Sequence, residues 1–142
     1  MRFVCVLFCG LLAPAVLAQD TDRPNLAGKW QIDPARSEGG GGATLSIETR
    51  DDDSLHYVLQ SHNGGTAEFD CTTDGKECAM TDGGRKAKVS LWYSGDSLMV
   101  METRGSSVVK RKLTVTGSML QMDVIPIVPQ GKPDKLVFNK QS

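Results

Sequence analysis

The stretch KVSLWYSGDSLMVMETRGSSVVKRKLTVTGSMLQMDV, residues 88–124, decides the fold. Three pairs, Gly95-Asp96, Gly105-Ser106 and Gly117-Ser118, punctuate it, and the segments between them alternate apolar with polar side chains. Read as two-residue hairpin loops, they set Tyr93 against Leu98 and Leu91 against Val100. The next loop sets Val100 against Arg111 and Leu98 against Leu113. The third sets Val115 against Leu120 and Leu113 against Met122. A one-residue slip at any turn would invert a strand, so agreement over three turns predicts an antiparallel meander.

The same arithmetic extends upstream. Gly83-Gly84 sets Met80 against Ala87 and Cys78 against Val89, and Asp74-Gly75 sets Cys71 against Cys78. A three-residue Asn63-Gly64-Gly65 loop predicts Leu59 against Phe69. The Arg50-Asp51-Asp52 region predicts Ile47 against Leu55. Strands are expected near 28–32, 43–49, 55–61, 66–72, 77–81, 86–93, 98–103, 108–116, 119–125 and 134–140. An open sheet of that many short strands exposes two edges, so closure into a barrel is expected. The inner face carries Trp30, Tyr57, Tyr93 and Val109 among its aliphatic residues. The outer face is polar except for Trp92, Met99 and Met101, which either lie under the glycine run 39–42 or form a protein contact surface.

The head of the chain reads differently. Met1-Arg2, the apolar run 3–12, Pro14 and small residues before Gln19 have the pattern of a secretory signal peptide over 1–18. The rest, 19–142, is then one domain of an exported protein, periplasmic or extracellular. Cys5 and Cys9 leave with the leader, and Cys71 and Cys78 remain as a pair expected to form a disulfide.

Composition narrows the function. The 142 residues carry 16 Lys+Arg against 17 Asp+Glu, a net charge of -1, which disfavours a nucleic-acid partner. No apolar stretch after residue 20 approaches the roughly 20 residues of a membrane-spanning helix. Gly-x-Ser-x-Gly is absent, the glycine run lacks the Lys-Ser/Thr of a phosphate loop, and Asp51-Asp52-Asp53 lacks the spacing of a calcium loop. His56 and His62 are placed on the outer surface and have no ligand spacing. Neither an enzyme nor a metal or cofactor is expected.

Asn25-Leu26-Ala27-Gly28-Lys29-Trp30-Gln31-Ile32-Asp33-Pro34-Ala35-Arg36-Ser37 opens the first strand. Its Gly-x-Trp resembles the first-strand signature of lipocalin-like (calycin) barrels, and the longer string is similar to small secreted bacterial proteins of that kind. The resemblance implies a lipocalin-like up-and-down barrel of about eight to ten strands. It also implies that Trp30 plugs one end beneath a basic residue of the last strand, for which Lys140 is the match.

One constellation breaks the inner apolar pattern. Arg111 falls between Val109 and Leu113, with Glu102 diagonally across the hairpin. A charge inside a barrel must be paired or solvated. Either the two form an internal ion pair, or Arg111 anchors the acidic head of a small ligand, as the resemblance to fatty-acid-binding barrels implies. Tyr57 and Tyr93, also inward, are candidate donors to the same head. Two functions remain open: a binding protein for a small apolar, amphipathic or carboxylate ligand, and a side-chain-filled interaction barrel with no ligand.

Overall fold

The computed structural model describes residues 23–39 and 42–142; the leader reading of 1–18 lies outside them. Ten strands follow in order: β1 (Gly28–Ile32), β2 (Thr44–Arg50), β3 (Ser54–Gln60), β4 (Thr66–Thr72), β5 (Asp74–Asp82), β6 (Arg85–Ser94), β7 (Ser97–Arg104), β8 (Ser107–Thr116), β9 (Met119–Val128) and β10 (Asp134–Lys140). Each pairs antiparallel with its sequence neighbours, and β1 closes onto β10 with Trp30 opposite Lys140 and Ile32 opposite Phe138. The fold is therefore an all-β, antiparallel, closed barrel. Closure removes both sheet edges, which an open meander would leave to pair with other chains.

From β5 onward the turns set the registers expected of them. Met80 faces Ala87, Leu91 faces Val100, Val100 faces Arg111, and Leu113 faces Met122. The glycines that lead these loops, Gly83, Gly95, Gly105 and Gly117, all have positive φ, the conformation that tight hairpin turns demand.

Two upstream registers differ by two residues. Leu59 faces Ala67 rather than Phe69, because the loop runs over 61–65, where the Ser61 N–H donates to the Gly65 carbonyl at 2.8 Å. Ile47 faces Tyr57 rather than Leu55, because a 3-10 turn over Asp51–Asp53 separates Arg50 from its partner Ser54. The Asp74-Gly75 turn also differs. Asp74 belongs to β5 and pairs with Trp92, with an irregularity before Glu77, and the β4–β5 ladder is confined to Ala67–Asp82 and Glu68–Thr81. Across that gap Cys71 and Cys78 are joined by a disulfide, their Cα atoms 5.7 Å apart.

The inner face packs into one core. Trp30, Leu45, Ile47, Leu91, Leu98, Val100, Leu113, Leu120, Met122 and Phe138 are essentially inaccessible, and full burial of each large side chain contributes about 1.5–3 kcal/mol. Val109 is an exception and is only half-buried. Val108 pairs with Val128 and Val109 with Pro126, so β9 carries an extra residue there and Ile127 is exposed.

The barrel has two unlike ends. The β1–β2, β3–β4, β5–β6, β7–β8 and β9–β10 connections share one, and the remaining turns share the other with the segment before β1. Trp30 plugs the interior beside this second end. Its indole N–H donates to the Leu26 carbonyl at 3.0 Å, and the Lys140 ammonium lies 5.7 Å from the ring centre. The Asp33-to-Ser37 part of the opening motif pins the β1–β2 connection. The Ser37 hydroxyl accepts from the Val137 N–H and donates to the Asp33 carbonyl, and Asp33 Oδ1 caps the turn by accepting from the Ala35 N–H.

Trp92 and Met99 face each other across one hairpin, with Met101 opposite Ser90. Met99 is buried and the other two are half-buried. The described flanks of the glycine run do not cover them. Glu38 bonds to the Lys135 carbonyl, and Gly42 lies against the His62 ring. Those contacts are to β10 and the β3–β4 loop, strands away from the β6–β7 hairpin.

Candidate ligand-binding site

A polar chain runs from the rim of the first end into the core. Asp82 ends β5, and its Oδ2 accepts from Arg104 Nε on β7. Arg104 Nη1 donates to Glu102 Oε1 at 3.2 Å, and Arg111 Nε on β8 donates to the same oxygen at 2.8 Å. Strand alternation places all four side chains inward: Glu102 and Arg104 share the phase of Val100, and Asp82 shares that of Met80. Glu102 is 0% exposed, whereas the Arg111 side chain keeps 14%. The expected Arg111–Glu102 pair is thus present, and sequence reasoning missed Arg104 and Asp82. The phase of β5 and β7 contains both.

Burial opposes the Arg111 cation, but Glu102 and then Tyr57 outweigh it, leaving its pKa above the ordinary value. Tyr57 is fully buried and stacked on Phe69, with ring centres 4.6 Å apart. Burial drives its phenol pKa well up, partly opposed by Arg111. Two buried polar atoms of this cluster, the Tyr57 hydroxyl and Glu102 Oε2, have no hydrogen-bond partner within the protein among the described residues. Such atoms cost about 1–3 kcal/mol each when nothing satisfies them, and buried polar groups left without a protein partner are few in native structures.

Arg111 also reaches open space. It lines a cavity of about 370 Å³ at the first end of the barrel, together with Leu59, Val124, Leu136 and Ala43. Glu38, Ser61, His62, Asn63 and Asp134 complete the lining. The chain crosses the mouth tightly at Gly42, where a Cβ would sit 2.7 Å from His62 Nδ1 and φ is +78°. His62 is therefore exposed as expected, yet it also borders the cavity. His56 sits on the outer face between Asp70 and Glu68, at 3.0 and 3.3 Å.

Tyr93 stands apart from this cluster. It lies at the plugged end with the Arg23 guanidinium 4.9 Å from its ring centre, and lines a separate cavity with Asp53 and Thr49. Burial raises its phenol pKa, with Arg23 opposing. Strand phase gave its side of the sheet but not its height in the barrel. Of the four candidate residues, Arg111, Glu102 and Tyr57 come together and Tyr93 does not. Among the described residues, no group of three His, Cys, Asp or Glu side chains could hold a metal ion.

Comparison of the sequence with protein-family models and with curated proteins gives no match. Solved structures do resemble it. Fatty-acid-binding protein 1 of Echinococcus granulosus superposes with a TM-score of 0.68 at 12% identity, over 82% of this chain and 98% of that one. A secretory abundant heat soluble protein of Ramazzottius varieornatus gives 0.69 at 15% identity, over 82% and 95%. A Schistosoma mansoni fatty acid binding protein, solved with arachidonic acid, gives 0.64 at 13%, over 82% and 96%. At these identities the likeness is one of fold: a closed antiparallel β-barrel like those of these structures.

Proposed function

We propose that this chain is a non-enzymatic binding protein for a small amphipathic molecule, taken up through the open end of the barrel. One observation carries the reading: Arg111, an inward arginine, borders a cavity of about 370 Å³ that Ala43, Leu59, Val124 and Leu136 also line. That volume falls within the roughly 300–1,000 Å³ of small-molecule sites, and its mixed lining of apolar and polar residues suits a molecule with both an apolar and a polar part. The neighbours named for fatty-acid binding support a ligand with an apolar tail.

The uncharged fluorophore prodan tests the reading. Saturable one-to-one enhancement of its fluorescence is expected, and Leu136→Trp, which fills the cavity, is expected to abolish it. Absence of saturable binding, or binding indifferent to Leu136→Trp, would favour the filled interaction barrel. That second reading draws on the inaccessible interior below the cavity and on the half-buried Trp92 and Met101. The proposal also includes export, with residues 1–18 removed. The leader pattern and the Cys71–Cys78 bond support it. An intact mass beginning at Gln19 checks it.

A further inference from the structure

We infer that the cavity selects an uncharged head group, such as an alcohol or amide, and that Glu102 is the residue that turns carboxylates away. This rests on the binding reading above and narrows it.

The polar chain contains two guanidinium groups, Arg104 and Arg111, and two carboxylates, Asp82 and Glu102, so it is neutral as a unit. Glu102 lies behind Arg111 as seen from the cavity. It is fully buried, absent from the lining, and 2.8 Å from Arg111 Nε. The acidic partner that a lone inward arginine would seek from a ligand is therefore already supplied by the chain. Among the lining residues Arg111 is the one permanent cation, while Glu38 and Asp134 add two carboxylates near the mouth. An entering carboxylate would meet a neutralised arginine and further negative charge in a partly desolvated space. Specificity built from such repulsion needs no steric block.

An uncharged head meets no such opposition. Arg111 uses Nε on Glu102, and Nη1 lies 3.5 Å from the Met122 sulfur. A guanidinium has five N–H donors, so others remain for a ligand oxygen. The oxygen of an alcohol or amide can accept from them without placing a second anion beside Glu102. The unpartnered Tyr57 hydroxyl and Glu102 Oε2 show that this corner has more hydrogen-bonding capacity than the protein itself uses.

Displacement of prodan at neutral pH by 1-decanol, decanoate and decylammonium, one chain length with three heads, tests the inference. Decanol is expected to bind at least about tenfold more tightly than either ion. Glu102→Gln, which keeps the size and removes the charge, is expected to reverse the order in favour of decanoate. Decanoate or decylammonium binding as tightly as decanol to the wild type overturns the head-group inference while leaving the binding reading intact. Failure of all three to displace bound prodan also overturns the head-group inference, whereas absence of saturable prodan binding at the outset overturns both. The wild-type series decides even if Glu102→Gln does not fold.

Discussion

Arg111→Met leaves the Glu102 carboxylate fully buried with Arg104 as its remaining counter-charge. Breaking one side of a buried pair costs about 3–5 kcal/mol, and the surviving Arg104 contact places the expected loss near the lower figure. Arg111→Met combined with Glu102→Leu should recover most of it, and denaturant curves for the three proteins measure both. A single variant as stable as wild type would contradict the view that the pair compensates a buried charge. Tyr57 makes the second expectation at this scale. Its folded phenol titrates above its unfolded value of about 10. Above that pH the unfolded chain binds fewer protons than the folded one, so stability falls as pH rises. Tyr57→Phe should flatten that alkaline decline and, by removing an unpartnered hydroxyl, raise stability at pH 7 by about 1 kcal/mol. Thermal midpoints at pH 8 and pH 11 check this, and an unchanged decline would contradict it. Alternation alone placed Arg111, Glu102 and Tyr57 inside. It could not say that Tyr93 sits at the other end, because period-2 phase carries no height.

At the scale of the hairpin, loop chemistry explains both the successes and the slips. Where a Gly-led pair fills the whole loop, as at Gly95-Asp96, the sequence determines the register. At 61–65 and at Asp51–Asp53 the loops are longer, and the pairing moves by two residues. A two-residue slip keeps every side chain on its own face, so the apolar pattern cannot detect it. The β4–β5 hairpin shows the same limit differently. Its backbone ladder lapses toward the turn, where Asp74 pairs with β6 and the disulfide spans the gap. Reduction should therefore loosen this hairpin in particular. For so short a closed loop the loss is expected below about 3 kcal/mol, with faster amide exchange confined to the β4–β5 turn and its flanks. Alkylation of both Cys71 and Cys78 in unreduced protein would contradict the pairing.

For the whole molecule, the closed meander was legible because ten consistent strands leave few other ways to bury one face, and Trp30 opposite Lys140 closes the ring. The cavity was not legible. Its walls come from strands, but its mouth depends on how residues 33–39, 42–43 and 129–133 cross the open end, and no periodic signal encodes that path. Its electrostatics depend likewise on Arg104 and Asp82 meeting Glu102 from separate strands. The ligand proposed for this end is a small amphipathic molecule with an uncharged head. Amide chemical shifts during a titration with 1-decanol test it directly. Saturable shifts are expected, centred on Leu59, His62, Arg111, Val124 and Leu136, which line the cavity. Shifts absent at saturation, or centred on Trp92, Met99 and Met101 instead, would contradict it.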